Sequence, residues 1–287
     1  MSGLDDITYS RDATVAAVRD YYAFLTDMYL DEAEVLEPPT TGWPSIDNLQ
    51  CMGKTPEVLD LLRYLPYIRQ EEDDGPQAFP DCRFADWREL AQRADDNGHS
   101  LRECSEPVEL VDRIPAHVIG LTYGGRSNST FLLDTKYGIV HWYECGDAVR
   151  YNMQDSPDPE WEQAVTDVDD PFGWEDVPED EAEWRAQHPA WSVEEFFEIL
   201  KRRFRDLTYV PLSAQAVYST REDEGAEDFG EMLPALQDVY RSHGWPDLEV
   251  FDKEACLLEI RRVVKREYPD HAFLLSEEED DEENDEE

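Results

Sequence analysis

Between about Asp12 and Leu30, the apolar residues Val15, Val18, Tyr22, Leu25 and Tyr29 recur at the spacing of one buried helical face. The pattern predicts a first helix there. Pro38, Pro39, Gly42 and Pro44 then break it, with Trp43 as an anchor against the body. Thr55 reads as the cap of a second helix and Pro56 as its first residue, where a missing N–H costs nothing. Val58, Leu59, Leu61, Leu62 and Leu65 follow, and Pro66 ends it. Glu71 to Pro80 reads as an acidic loop, and Asp86 to Asp95 as a short third helix.

The pattern changes period in the middle of the chain. His117 to Tyr123 is a β-branched and apolar run that stops at Gly124-Gly125. Thr130 to Thr135 and Ile139 to Tyr143 flank Lys136-Tyr137-Gly138, with Asp134 placed to start a turn and Gly138 able to take positive φ. That combination predicts a β-hairpin. Further on, Ser192 with Glu195 forms a capping box ahead of the stripe Val193, Phe196, Phe197, Leu200, Phe204 and Leu207. Tyr209-Val210 reads as a strand start. Beyond the acidic break Glu222 to Asp228, two last helices are predicted at about Pro234 to Ser242 and Lys253 to Glu267. The expected fold class is therefore α+β, with a central, mostly antiparallel sheet, flanking helices and long acidic loops. Residues 1–275 are expected to form a single globular domain.

Charge alters this picture more than any motif does. The 287 residues carry 69 acidic and 25 basic side chains, a formal net charge of −44. Ten of the carboxylates fall between Glu277 and Glu287, a tail with no apolar surface to bury, and residues 276–287 are expected to be disordered. The rest of the surplus belongs to the body. Such a field repels nucleic-acid phosphates and anionic lipid, so neither is expected as a direct partner, while basic proteins are attracted. The plainer use of the charge is solubility. Five widely spaced cysteines without a CxxC pair argue against zinc clusters and disulfide frameworks. The N-terminal residues lack a secretory pattern, and no apolar run reaches 18 residues. An intracellular chain with reduced thiols, in the cytoplasm or nucleus, is the expectation.

The densest acidic stretch is Asp155 to Glu183, with 13 carboxylates and no Lys or Arg. It is too long for an ordinary connection, and Trp161, Phe172, Trp174 and Trp184 are placed to tether it to the body. Within it, Asp167, Asp169, Asp170, Glu175, Asp176, Glu179 and Asp180 are the candidate partner-binding residues. Asp167, Asp169 and Asp170 lack the glycine and closing Glu of a calcium loop. No cofactor is implied and no catalytic residue stands out. The six histidines are scattered without metal-binding spacing, and His141 reads as a solvent-facing strand residue. Gly124-Gly125-Arg126-Ser127 offers N–H groups to an anion, although a bare Gly-Gly after a strand reads first as a turn. Lys201, Arg202, Arg203 and Arg205, like Arg261, Arg262, Lys265 and Arg266, lie in the C-terminal halves of helices, where cations complement the macrodipole.

Two segments resemble the SUKH superfamily, which includes a yeast regulator of cell-wall synthesis and bacterial immunity proteins against secreted toxins. Phe131 to Val140 is similar to that family's strand ending in an aspartate before a turn. Trp191 to Leu200 is similar to its closing helix. The likeness spans residues 116–210 at most, and the acidic insert between the two segments departs from the family pattern. The resemblance implies a mixed sheet and a binding role without catalysis, and it supplies no active-site residues. The leading functional expectation is thus a non-catalytic interaction module or regulator that recognises basic proteins. Its rivals are an acidic shield for a basic client such as a histone, and an enzyme whose carboxylate site lies in a cleft.

Overall fold

In the computed structural model of the chain, residues 4–70, 75–94, 98–124, 128–143, 174, 177–220 and 229–275 are described. The first apolar stripe is buried as its spacing requires. Helix α1, Arg11–Met28, is capped by the Ser10 side chain and buries Val15, Val18, Tyr21, Tyr22, Leu25 and Met28. Helix α2, Pro56–Tyr64, starts at Thr55, whose hydroxyl accepts from Val58 N–H, and ends before Pro66 as predicted. Two short strands, β1 (Val35–Leu36) and β2 (Tyr67–Ile68), pair beside them. Helix α3 is shorter than expected, Trp87–Leu90, and α4, His99–Ser105, follows a positive-φ Gly98.

A four-stranded antiparallel sheet organises the middle of the chain, in the order β3 (Val118–Gly120), β4 (Thr130–Asp134), β5 (Ile139–Tyr143) and β6 (Ala190–Ser192). The predicted hairpin is β4–β5, with Leu133 opposite Val140 and Asp134 opposite Ile139. Gly138 closes its turn at φ +70°, and an added Cβ would stand 2.9 Å from the Tyr9 backbone nitrogen. Both the conformation and the close approach therefore call for glycine. Helix α5, Glu179–Gln187, precedes β6, and helix α6, Val193–Arg205, follows it. Strands β7 (Tyr209–Ser213) and β8 (Ala216–Ser219) form a second hairpin. Helices α7 (Met232–Ser242) and α8 (Lys253–Glu267) complete an α+β fold.

The main core runs from Val15 to Leu275 and draws on α1, α6, α7, α8 and the inner face of the sheet. It is rich in rings. Phe131 meets Phe196 at 4.9 Å and Trp142 at 5.4 Å between centroids, both edge to face. The basic cluster on α6 is used internally: Lys201 is buried and pairs with Asp20 of α1 and with Glu198. Arg203 lies over Tyr209 at 5.7 Å, and Arg205 lies over Phe24 at 5.2 Å. The Ser192–Glu195 box forms, with a variation. Ser192 Oγ donates to Glu195 Oε2 at 2.7 Å, where the usual box has the glutamate reaching a backbone N–H. The acidic break at 222–228 and the tail at 276–287 lie outside the described residues.

Candidate functional site

Alternation along the strands gives the sheet a second face. Phe131, Leu133, Val140, Trp142 and Trp191 point into the main core, whereas Val118, Leu132, Asp134, Ile139, His141, Tyr143 and Ala190 point away from it. That outer face is covered. Trp184 packs with Leu110, Ile114, Val118, Leu132 and Tyr143, while Trp174 and Ala186 pack with Ile139 and Ala190. The cover is α5 together with Trp174 and Val177 just before it. Trp174 and Trp184 thus act as the expected tethers; Trp161 and Phe172 lie outside the described residues.

Between these two apolar patches sits a charged centre. The Arg185 guanidinium, on α5, is fully buried and places Nη1 2.8 Å from Asp134 Oδ2, itself fully buried. The same nitrogen lies 3.2 Å from His141 Nε2, and Nη2 lies 3.3 Å from Glu181 Oε2 and 3.5 Å from His117 Nε2. Trp184, Trp174 and Tyr137 present their rings to the guanidinium carbon at 4.6, 5.1 and 5.4 Å. A planar, weakly hydrated cation is suited to this aromatic enclosure. Asp134 serves two structures at once: Oδ2 faces Arg185, while Oδ1 accepts the N–H groups of Lys136 and Tyr137 in the hairpin turn.

The electrostatics follow from burial. His141 is completely buried, and burial first, then the Arg185 charge, drives its pKa well below the ordinary histidine value. An arginine N–H can only donate to a ring nitrogen that carries a lone pair, so the contact assigns the neutral tautomer with Nε2 as acceptor. Burial also lowers His117, an effect that Asp134 opposes. The solvent-facing assignment of His141 is therefore corrected. Its side chain is on the expected face of β5, but α5 covers that face, and α5 itself carries no apolar periodicity that would announce a covering helix.

Of the candidate partner-binding residues, Asp167, Asp169, Asp170, Glu175 and Asp176 lie outside the described residues. Glu179 and Asp180 are exposed in the first turn of α5. Carboxylates there complement the helix dipole, and with the exposed Glu183 they form an acidic ridge on the side of α5 away from the sheet. What sequence reasoning missed is the rivet. Arg185, the first basic residue after 13 carboxylates, was its visible signal.

In the buried cluster the Arg185 cation and the Asp134 carboxylate neutralise each other away from solvent. Among the described residues, no group of three or more His, Cys, Asp or Glu side chains is arranged to hold a metal ion. Cys51, Cys82, Cys104 and Cys256 carry free thiols. No helix among the described residues is long and apolar enough to cross a membrane. Compared with protein-family models, with curated proteins and with solved structures, the chain matches none of them.

Proposed function

We propose that this chain is a non-catalytic intracellular interaction module that recognises a basic protein through its acidic surface, with α5 as the ordered part of the contact. One observation carries the reading. The helix that ends the acidic stretch is clamped to the sheet through the buried Arg185–Asp134 pair, with Glu179, Asp180 and Glu183 facing outward. Charges mounted on a rigid element lose less freedom on binding than charges on a loose chain. A net charge of −44 adds long-range attraction for cations and repels nucleic acid and anionic membranes. The likeness of the β4–β5 hairpin and of α6 to the SUKH superfamily, whose members act by binding, points the same way.

The test begins with capture of copurifying proteins from native cells and ends with kinetics. The partner is expected to be rich in Lys and Arg, and association is expected to slow as salt rises, because exposed charges are screened over about 8 Å at physiological ionic strength. Changing Glu179→Gln, Asp180→Asn and Glu183→Gln together should reduce the association rate. Changing Glu249→Gln, Glu254→Gln and Asp270→Asn, three exposed carboxylates elsewhere, removes the same net charge and should do so less. A neutral or acidic partner whose binding ignores salt would overturn the proposal, as would equal effects from the two triple variants.

A further inference from the structure

Away from α5, a cleft of about 230 Å³ opens between the segment 83–93, Cys104 of α4 and the residues that follow β3. It is larger than the ~150 Å³ cavity that admits benzene and smaller than the ~300–1,000 Å³ typical of drug-sized sites. Phe84 and Leu90 give it an apolar wall, so one or two fused rings would fit and would gain from leaving water.

The charged groups lining it are unequally committed. Asp86 Oδ2 accepts from Arg88 at 2.9 Å, and its Oδ1 accepts from the Glu89 N–H as the cap of α3. Glu89 faces Arg93 at 3.6 Å. Both carboxylates thus face cations of their own segment. Arg83 is different. Among the described residues no carboxylate lies within ion-pair reach of its guanidinium, in a chain with 69 acidic residues to 25 basic ones.

The backbone that carries Arg83 is held from several sides. Its N–H donates to Asn128 Oδ1 at 2.9 Å, its carbonyl accepts from Tyr123 N–H at 3.2 Å, and Phe84 bridges to Thr122. Tyr123 also lines the cleft and hydrogen-bonds Cys104; burial and that contact push its phenol up to about 12, so it keeps its proton at neutral pH. A guanidinium carried on a fixed backbone, a neutral phenol and an apolar wall together form a complement to an amphipathic anion.

We infer that this cleft binds a compact organic anion, a carboxylate on a one- or two-ring apolar body, with Arg83 meeting the charge and Phe84 and Leu90 meeting the rings. The site is separate from the acidic ridge, and its existence does not depend on the ridge having a partner.

The experiment uses the full chain and three isosteric probes: 1-naphthoate, the neutral 1-naphthamide and the cationic 1-naphthylmethylamine, titrated by calorimetry and by saturation-transfer NMR. Naphthoate is expected to bind saturably at low-millimolar concentration or better, and the amide about tenfold more weakly, the scale of one charge-assisted hydrogen bond. Arg83→Gln should bring naphthoate down to the level of the amide, whereas Arg113→Gln, at an exposed arginine elsewhere, should leave it unchanged. Leu90→Trp, which fills the cleft, should abolish binding of both. Because Leu90 is buried, that variant is read only if its melting curve stays cooperative, and Arg83→Gln carries the test alone if it does not. Equal affinity for naphthoate and naphthamide, retention of naphthoate by Arg83→Gln, or no saturable binding would each overturn the inference.

Discussion

The two faces of the β3–β6 sheet are built from the same strands and sealed by opposite means. The inner face is closed by volume, with Phe131, Trp142 and Trp191 meeting Phe79, Phe196 and the rest of the core ring against ring. The outer face is closed by α5, a helix with little apolar surface, held by two tryptophans and one buried ion pair. Dispersion and water exclusion are spread over many atoms, so an inner-face truncation costs in proportion to what it removes. A buried ion pair is concentrated. Its net worth is small because desolvation offsets attraction, yet removing one partner strands the other.

The largest effect is expected on the inner face. Phe131→Ala should destabilise by about 3–5 kcal/mol in urea denaturation, the cost of an aromatic cavity in a packed core. A loss near zero would show that the hairpin does not carry the core. On the outer face, Arg185→Ala should cost about 3 kcal/mol, because it leaves Asp134 buried without its cation. The comparison is sharpened by the double variant Arg185→Met with Asp134→Asn. It keeps the volume, keeps an acceptor for the turn and removes both charges, so it should recover at least half of that loss. Additive losses in the double variant would mean that the pair is not what holds α5.

Gly138 joins the two faces, because its turn places Asp134 for both roles. Gly138→Val puts a β-branched residue at φ +70° and a Cβ against the Tyr9 backbone. The expected cost is about 1–3 kcal/mol in thermal or urea unfolding. If the turn positions the clamp, this loss should be non-additive with Arg185→Ala in a double-mutant cycle. Strict additivity would separate turn from clamp.

The inner face was legible in the sequence for a physical reason: each of its elements buries a stripe against a large apolar partner. Val15 to Tyr29, Thr130 to Tyr143 and Val193 to Leu207 therefore show the period of the structure they form, and Thr55, Ser192 and Gly138 mark its ends. The outer face was not legible. Strand β5 is buried on both sides, and a reading that leaves one side wet puts His141 in solvent. Helix α5 has charged residues over most of its surface, so its place is set by Trp184 and Arg185 after the sheet exists, not by its own pattern. Strand β6 escaped for a similar reason: three residues whose pairing depends on β5, distant in sequence, carry little local signal. Of the candidate partner-binding set, Glu179 and Asp180 are exposed, whereas the cleft around Arg83 joins segments with no shared motif.

The smallest expected effect separates the faces by pH. The folded chain holds His141 neutral, its pKa lowered mainly by burial and next by Arg185, with His117 shifted the same way. In the unfolded chain both rings protonate below about pH 6.5. Stability from these groups is thus present above that pH and lost as pH falls, with a limiting slope of about 1.4 kcal/mol per pH unit for each histidine. Other groups act in the opposite sense. Burial raises the carboxyls of Asp86 and Glu106, so the folded state gains protons there, and acidification relieves the repulsion of a chain at −44. Both of those contributions favour the folded state as pH falls, so neither accounts for a decline in melting temperature just below pH 6.5, the direction in which the histidines act. His141→Gln offers Arg185 a neutral acceptor that does not titrate and should flatten much of that decline while costing little at pH 8. Phe131→Ala should shift the whole curve without changing its slope there. An unchanged slope in His141→Gln would mean that the clamp tolerates a protonated ring, and that the outer face, like the inner one, is held by packing alone.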